Sequence, residues 1–146
     1  MQTLIKKFTG LRTLELYQIL KLRGDVFIYE QKCAYPDCDN HDLTAIHIMM
    51  MSDETLIAYA RILPPHSKYP KTSIGRVVVH TDWRGKNLAR QIMDAAIATA
   101  RKAFPNDPLM VQAQQYLEKF YQSFGFQTIN QPYDDAGIIH VDMVMT

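Results

Sequence analysis

Cysteine is scarce in this chain of 146 residues: there are two, Cys33 and Cys38. Secreted folds of small size that depend on disulfides carry many more, so the pair fits a reducing compartment. Zinc is also hard to house. Cys33, Cys38, His41 and His47 lack the paired spacing of a zinc knuckle, and His47 falls inside a strand-like run. A metal-binding interaction domain on those four residues would carry bound zinc; the spacing argues against it, and no metal is expected. Long apolar runs are missing, so nothing in the sequence reads as a bilayer span. The N-terminus, Met1-Gln2-Thr3-Leu4-Ile5-Lys6-Lys7, lacks the order of a secretory signal. A cytoplasmic protein with no membrane partner is the expectation. An excess of one charge is absent too: 16 Lys and Arg are interspersed with 15 Asp and Glu, for a net charge of +1. That excludes the basic face usual in nucleic-acid binding. Repeats, linkers and low-complexity tracts are absent, and the length fits one domain over residues 1–146. With 47% hydrophobic residues, such a domain can bury a sizeable core.

The most informative stretch runs from Ser73 to Arg90. Val77, Val78 and Val79 are a β-branched run that reads as a buried strand. A polar turn with Arg84, Gly85 and Lys86 at its tip follows, and a helix is expected from near Asn87 to about Ala103. Strand, basic turn and helix make a place for an anion. The first N–H groups of a helix have no partner within it, and its dipole puts partial positive charge there. Gly85 allows close approach of the main chain, and Asn87 tolerates a left-handed conformation. Arg84, Lys86 and Arg90 add positive charge, so a diphosphate is a natural guest. Two well-known phosphate loops are excluded. There is no Gly-Lys-Ser/Thr ending of a P-loop, and the three glycines of the dinucleotide fingerprint are missing. A solvated strand–turn–helix remains the plain alternative.

The rest of the chain alternates strand and helix. Thr3 to Phe8 reads as a strand, and Thr13 as the cap of a helix with Glu15 in its first turn. Leu16, Leu20, Arg23, Phe27 and Glu30 fall on one face of that helix. Arg23 and Glu30 there either satisfy each other or nearby polar groups, or line a polar pocket; pairing is the reading for Arg23, a pocket for Glu30. Residues 32–42 read as a loop whose Asp37, Asp39 and Asp42 are either simply solvated or an acidic rim that attracts a cationic amine. Thr44–Met51 and Thr55–Leu63 make a hairpin, and residues 73–80 the central strand. Leu109–Ala113 is a short buried strand. Leu117, Phe120, Tyr121 and Phe124 share a helix face that Gly125 ends. Phe126–Asn130 and Ile138–Met145 are the last strand candidates. The fold class is α/β, a mixed sheet flanked by helices.

Two motifs carry a resemblance. Arg84-Gly85-Lys86-Asn87-Leu88-Ala89 resembles the acyl-CoA loop of the GNAT N-acyltransferase superfamily, with Asn87 where the family usually has glycine. One strand and one helix later, Tyr121-Gln122-Ser123-Phe124-Gly125-Phe126 looks like that family's Tyr-x-x-Leu/Phe-Gly-Phe element. Further phrases resemble the ElaA-like branch. Among them are Glu30-Gln31 with Cys33 and Tyr35, Ala58-Tyr59-Ala60-Arg61-Ile62-Leu63-Pro64-Pro65, and Gly137-Ile138-Ile139-His140-Val141. That branch commonly has proline where Ile139 stands.

The resemblance implies the GNAT fold and transfer of an acetyl group from acetyl-CoA to a primary amine of a small molecule or peptide. Acetyl-CoA would be a co-substrate rather than a resident cofactor. The backbone of the Val77, Val78 and Val79 strand would pair with the pantetheine arm. The turn from Arg84 to Ala89, with Arg90 beside it, would wrap the diphosphate. Each hydrogen bond to a charged group is worth roughly 1.5–3 kcal/mol. Tyr121 occupies the position of the acid that protonates departing CoA. On spacing alone it is a core tyrosine. No glutamate stands on the central strand, so the base candidates are Glu30, His47 and His140. The contrasting reading is an acyl-CoA-binding regulatory module without transfer activity, supported by Asn87 in place of glycine. Monomer and homodimer are both open, as is the acceptor.

Overall fold

The computed structural model describes residues 1–146. Its centre is a hairpin. Strand β2 (Ile46–Ser52) and strand β3 (Thr55–Leu63) turn on Asp53, at φ 52°. Both are almost continuously buried, because helices cover the sheet on both faces. Strand β1 (Gln2–Lys7) lies antiparallel to β2, and β4 (Thr72–Val79) antiparallel to β3. Beyond β4 come β5 (Leu109–Gln114), β6 (Gln127–Thr128), β7 (Tyr133–Asp135) and β8 (Ile138–Met145). The order is β1-β2-β3-β4-β5-β8-β6, with β7 also on β8.

The seam between β4 and β5 sets up everything that follows. It is the one parallel pairing, and it spans only Thr72 against Leu109 and Ser73 against Met110. β5 then stays with β8 as far as Gln114 and His140, while β4 stays with β3 as far as Val79 and Ala58. The two halves of the sheet therefore diverge past Ser73. A bulge in β4 accompanies the divergence. Tyr59 pairs with Val78 and Arg61 with Gly75, so Arg76 and Val77 stand against Ala60 alone, and Arg76 is left-handed at φ 52°. Bulges bend a strand and sharpen its twist.

Helix α1 (Thr13–Arg23) is capped at Arg12, one residue before the expected Thr13. The Glu15 carboxylate accepts the Arg12 N–H at 2.8 Å. A π-helical turn, Gly24–Glu30, continues it. Arg23 is buried as expected, but its buried companions are Glu15, Ile19, Leu22 and Val26 rather than Leu16, Leu20, Phe27 and Glu30. The π-turn spends an extra residue, so Glu30 ends at the surface. These residues pack with Met49, Met51, Tyr59 and Val78 on one sheet face. Helix α2 (Leu88–Ala103) covers the other, burying Leu88, Ile92, Met93, Ala96 and Ala100.

Helix α3 (Glu118–Gln122) is shorter than its apolar spacing suggests, and a 3-10 turn, Gln115–Leu117, precedes it. Gly125 follows at φ 107°, with Met145 Sδ 3.1 Å from where a Cβ would sit. A side chain there would be both strained and crowded. The strand expected over 126–130 shrinks to β6, and the sequence reading missed β7.

Candidate active site

Where β4 and β5 part, a cavity of about 420 Å³ opens. β4 contributes Ser73 to Val79, β5 contributes Gln112 and Gln114, and Tyr121 and His140 approach from α3 and β8. Since β4 has lost its neighbour there, its backbone edge on that side is unpaired. Such an edge accepts an extended partner that carries amide groups.

The turn after β4 is built for an anion. His80 begins a 3-10 turn, Thr81–Trp83, its Nδ1 accepting the Asp82 N–H at 3.1 Å. Gly85 and Asn87 are both left-handed, at φ 79° and 65°, and α2 starts at once after Asn87. No backbone N–H from residue 84 to residue 90 donates a hydrogen bond within the protein. The first to do so is Gln91, to the Asn87 carbonyl at 3.3 Å. A row of free donors thus meets the positive end of a sixteen-residue helix. Asn87 adopts the left-handed conformation for which glycine is the usual choice.

The side chains of the turn have other duties. Leu88 is buried in the core, so it offers only its N–H; half-buried Ala89 leaves room beside it. Arg90 donates to Ser123 Oγ at 2.6 Å and lies over the Phe124 ring at 4.4 Å, tying α2 to α3. Lys86 Nζ is exposed, 5.7 Å from the Trp83 ring. Arg84 borders the cavity and donates to both Glu30 oxygens, at 2.7 and 2.9 Å.

The proton-transfer candidates separate by environment. Tyr121 is 7% exposed, its side chain borders the cavity, and its ring packs edge-on against Phe120 and Phe126. Burial, with a smaller effect of the Tyr116 phenol, pushes its hydroxyl up to about 12, so it stays protonated at neutral pH. His140 also borders the cavity. Its Nδ1 faces the Ile138 carbonyl at 2.8 Å. A carbonyl only accepts, so Nδ1 carries the hydrogen and Nε2 presents a lone pair. Glu30 reaches the cavity, but the hydrogen bonds from Arg84 hold its carboxyl below the usual range. That makes it a weaker base.

His47 does not fit a base role. It is fully buried away from the cavity lining. Its Nε2 faces the Asp42 carbonyl at 2.9 Å and its Nδ1 the Tyr59 hydroxyl at 2.6 Å. Burial lowers its pKa, and both nitrogens are occupied within the core.

The acidic rim is also corrected. Asp37, Asp39 and Asp42 are neither solvated nor free to attract an amine. Fully buried Arg23 donates Nε to Asp37 at 2.9 Å and Nη1 to Asp42 at 2.7 Å. Arg61 holds both Asp39 oxygens, at 2.8 and 2.7 Å, and also reaches Asp42 at 3.0 Å. Arg76 donates to Asp37 at 2.9 Å. Arg23 and Glu30 do not satisfy each other. Arg61, Lys68 and Arg76 border the cavity, and the sequence reading gave none of them a role. The signal was available: an arginine inside an apolar strand needs a carboxylate, and three follow α1. Cys33, Cys38, His41 and His47 do not converge on a metal site. No helix is long and apolar enough to cross a membrane.

A sheet split beside one parallel seam, with a row of free amides at the following helix, defines an acyl-CoA-dependent acyltransferase architecture. Residues 26–146 match the profile of the acetyltransferase (GNAT) domain, and the chain belongs to that family. Within it, the chain is ElaA-like. It is 40% identical to the protein ElaA of Escherichia coli over 131 residues, covering 88% of this chain and 86% of that one. The crystal structure of E. coli ElaA superimposes with a TM-score of 0.93 at 35% identity, over 99% of both chains. An acyl-CoA N-acyltransferase from Pseudomonas aeruginosa superimposes at 0.95 and 34% identity, again over 99% of both chains.

Proposed function

We propose that this chain is an N-acetyltransferase that moves the acetyl group of acetyl-CoA to a primary amine by direct attack. One observation carries this reading: the unpaired edge of β4 and the free amides of residues 84–90 lead towards the cavity that Tyr121 and His140 border. The diphosphate would sit on the amides, with Arg84, Lys86 and the helix dipole adding positive potential. The pantetheine arm would extend β4 along Val77 to Val79 as a further strand.

The amine attacks as a free base, since an ammonium has no lone pair. His140 Nε2, directly or through water, takes the proton that the nitrogen sheds. As the carbon–sulfur bond breaks, the Tyr121 hydroxyl donates to the departing sulfur. An ordinary thiol has a pKa of roughly 8.5, so a phenol at about 12 is the weaker acid. Tyr121 therefore acts chiefly as a hydrogen-bond donor to the developing thiolate. Any proton it releases is restored from the one the amine sheds.

The test is release of coenzyme A when acetyl-CoA is mixed with a panel of amines. Tyr121→Phe should lower kcat about a hundredfold or more, with acetyl-CoA affinity changed little. Equal turnover in both proteins would remove Tyr121 from any part in stabilising or protonating the departing sulfur. Tight CoA binding without turnover of any amine would favour an acyl-CoA-binding regulatory module. The sequence argument for that module was Asn87. Since Asn87 holds the left-handed conformation that a glycine would supply, it no longer favours it.

A further inference from the structure

Two glutamines on β5, Gln112 and Gln114, border the cavity, with core residue Ala113 between them facing the other way. They differ in how fully they are satisfied. Gln112 is engaged at both ends. Its Oε1 accepts from the Tyr69 hydroxyl at 2.9 Å, and its Nε2 donates to the Tyr133 hydroxyl at 2.8 Å and to Asp135 at 2.9 Å. Gln114 is engaged at one end only. Its Nε2 donates to Gln31 Oε1 at 3.1 Å, which orients the amide, while its own Oε1 accepts nothing from the protein.

The sheet register is an independent observation. Gln114 stands directly opposite His140 where β5 pairs with β8. Residues so placed share one face, with Cβ atoms roughly 4.5–5.5 Å apart. His140 Nδ1–H is given to the Ile138 carbonyl, so Nε2 holds a lone pair that no protein donor meets. The Tyr133 ring stacks on the imidazole, 6.2 Å between centroids, and its hydroxyl is committed to Asp142. An amide oxygen and an imidazole nitrogen therefore lie side by side without donors. Neither is shut away from a ligand: the buried side-chain polar atoms that lack a partner are Arg61 Nε and Thr72 Oγ1. Gln114 Oε1 and His140 Nε2, on half-buried residues, stay accessible.

We propose that Gln114 Oε1 holds the attacking amine together with His140 Nε2, and that this pair of acceptors selects primary over secondary amines. The inference rests on the acyltransferase reading above, and its test separates the two. A neutral primary amine has two N–H bonds and one lone pair. With one N–H on each acceptor, the lone pair is left to face the thioester carbon. As the nitrogen–carbon bond forms and the carbon–sulfur bond breaks, the hydrogen on the His140 side passes to Nε2 as a proton. The hydrogen on the Gln114 side stays, because a carboxamide oxygen is not a base, and becomes the N–H of the amide product. A secondary amine has a single N–H. Given to His140, it leaves nothing for Gln114, whose oxygen then meets an alkyl group. Sites built to hydrogen-bond a substrate N–H reject analogues that lack it.

Primary amines are compared with their N-methyl derivatives as acceptors of acetyl-CoA, with kcat/KM expressed per neutral amine. The primary amine should lead by tenfold or more. Gln114→Leu should lower the primary amine at least tenfold and leave the N-methyl amine nearly unchanged, which brings the ratio towards one. Gln114→Ala, which removes the same oxygen without adding bulk, should do likewise, and acetyl-CoA affinity by calorimetry should match the wild type. Equal kcat/KM for the two amines in the wild type overturns the proposal. So does a ratio that survives in both variants, a loss shared equally by both amines, or a ratio that falls only because the N-methyl amine becomes faster. If the wild type acetylates no amine, the acyltransferase reading fails and this one falls with it. If it acetylates amines without the predicted ratio, the role of Gln114 fails alone.

Discussion

Two sets of ion pairs flank the cavity, and they differ in what holds them. Asp37 and Asp42 meet Arg23 where all three are nearly or fully buried. Glu30 meets Arg84 at the surface, with 39% and 44% of the two side chains exposed. In the first set, water cannot replace a lost partner, so every member depends on the others. In the second, water replaces either partner readily, and the pair adds little to stability. The buried set fixes the loop 37–42 against α1, β3 and the β4 bulge, and so shapes the cavity wall. The exposed pair joins the π-turn to the anion-binding turn without locking either.

The comparison is broken most severely by Arg23→Met, which takes one of two arginine partners from each of two buried carboxylates, leaving Asp37 with Arg76 and Asp42 with Arg61. Unfolding free energy should fall by about 3–5 kcal/mol in a urea titration; a loss below about 1 kcal/mol would mean that the cluster is not load-sharing. Acid makes the next largest change. Burial pushes Asp39 and Asp42 up, but the hydrogen bonds and charge of Arg61 and Arg23 outweigh it and hold both carboxyls low. Carboxylates depressed in the folded state stabilise it above their unfolded pKa of roughly 3.9, and that stability is lost as pH falls below it. The melting temperature should therefore drop steeply below about pH 4, and less steeply in Arg23→Met. At the exposed pair, Glu30→Gln should change stability by less than about 1 kcal/mol. It should also lower turnover far less than Tyr121→Phe does; an equal loss would return Glu30 to the catalytic machinery.

Local patterns made much of the fold legible. Thr55–Leu63 and Ile138–Met145 have the bounds their apolar runs indicate, and α2 starts one residue after Asn87. The anion-binding turn was legible because glycine, asparagine and basic residues each have a local reason to be there. The divergence of β4 from β5 was not. It depends on where two strands distant in sequence stop pairing, and neither strand states that by itself. The face of α1 was misread from its first turn, where Glu15, a charged residue, takes a buried position because Lys6 and the Arg12 N–H satisfy its carboxylate; only the exposure of Glu30 follows from the π-turn. The acidic loop was misread for a related reason. Asp37, Asp39 and Asp42 look solvated by composition, and the partners that bury them lie on α1, β3 and β4. β7 escaped because its three residues, Tyr133-Asp134-Asp135, have no apolar alternation.

The central claim is that the amides of residues 84–90 are free in order to hold a pyrophosphate. Residue-resolved hydrogen exchange with and without coenzyme A tests it most directly. Those amides should exchange rapidly in the free protein and slow by tenfold or more when coenzyme A is added, together with amides along β4. Binding of coenzyme A that leaves exchange at 84–90 unchanged would contradict the account.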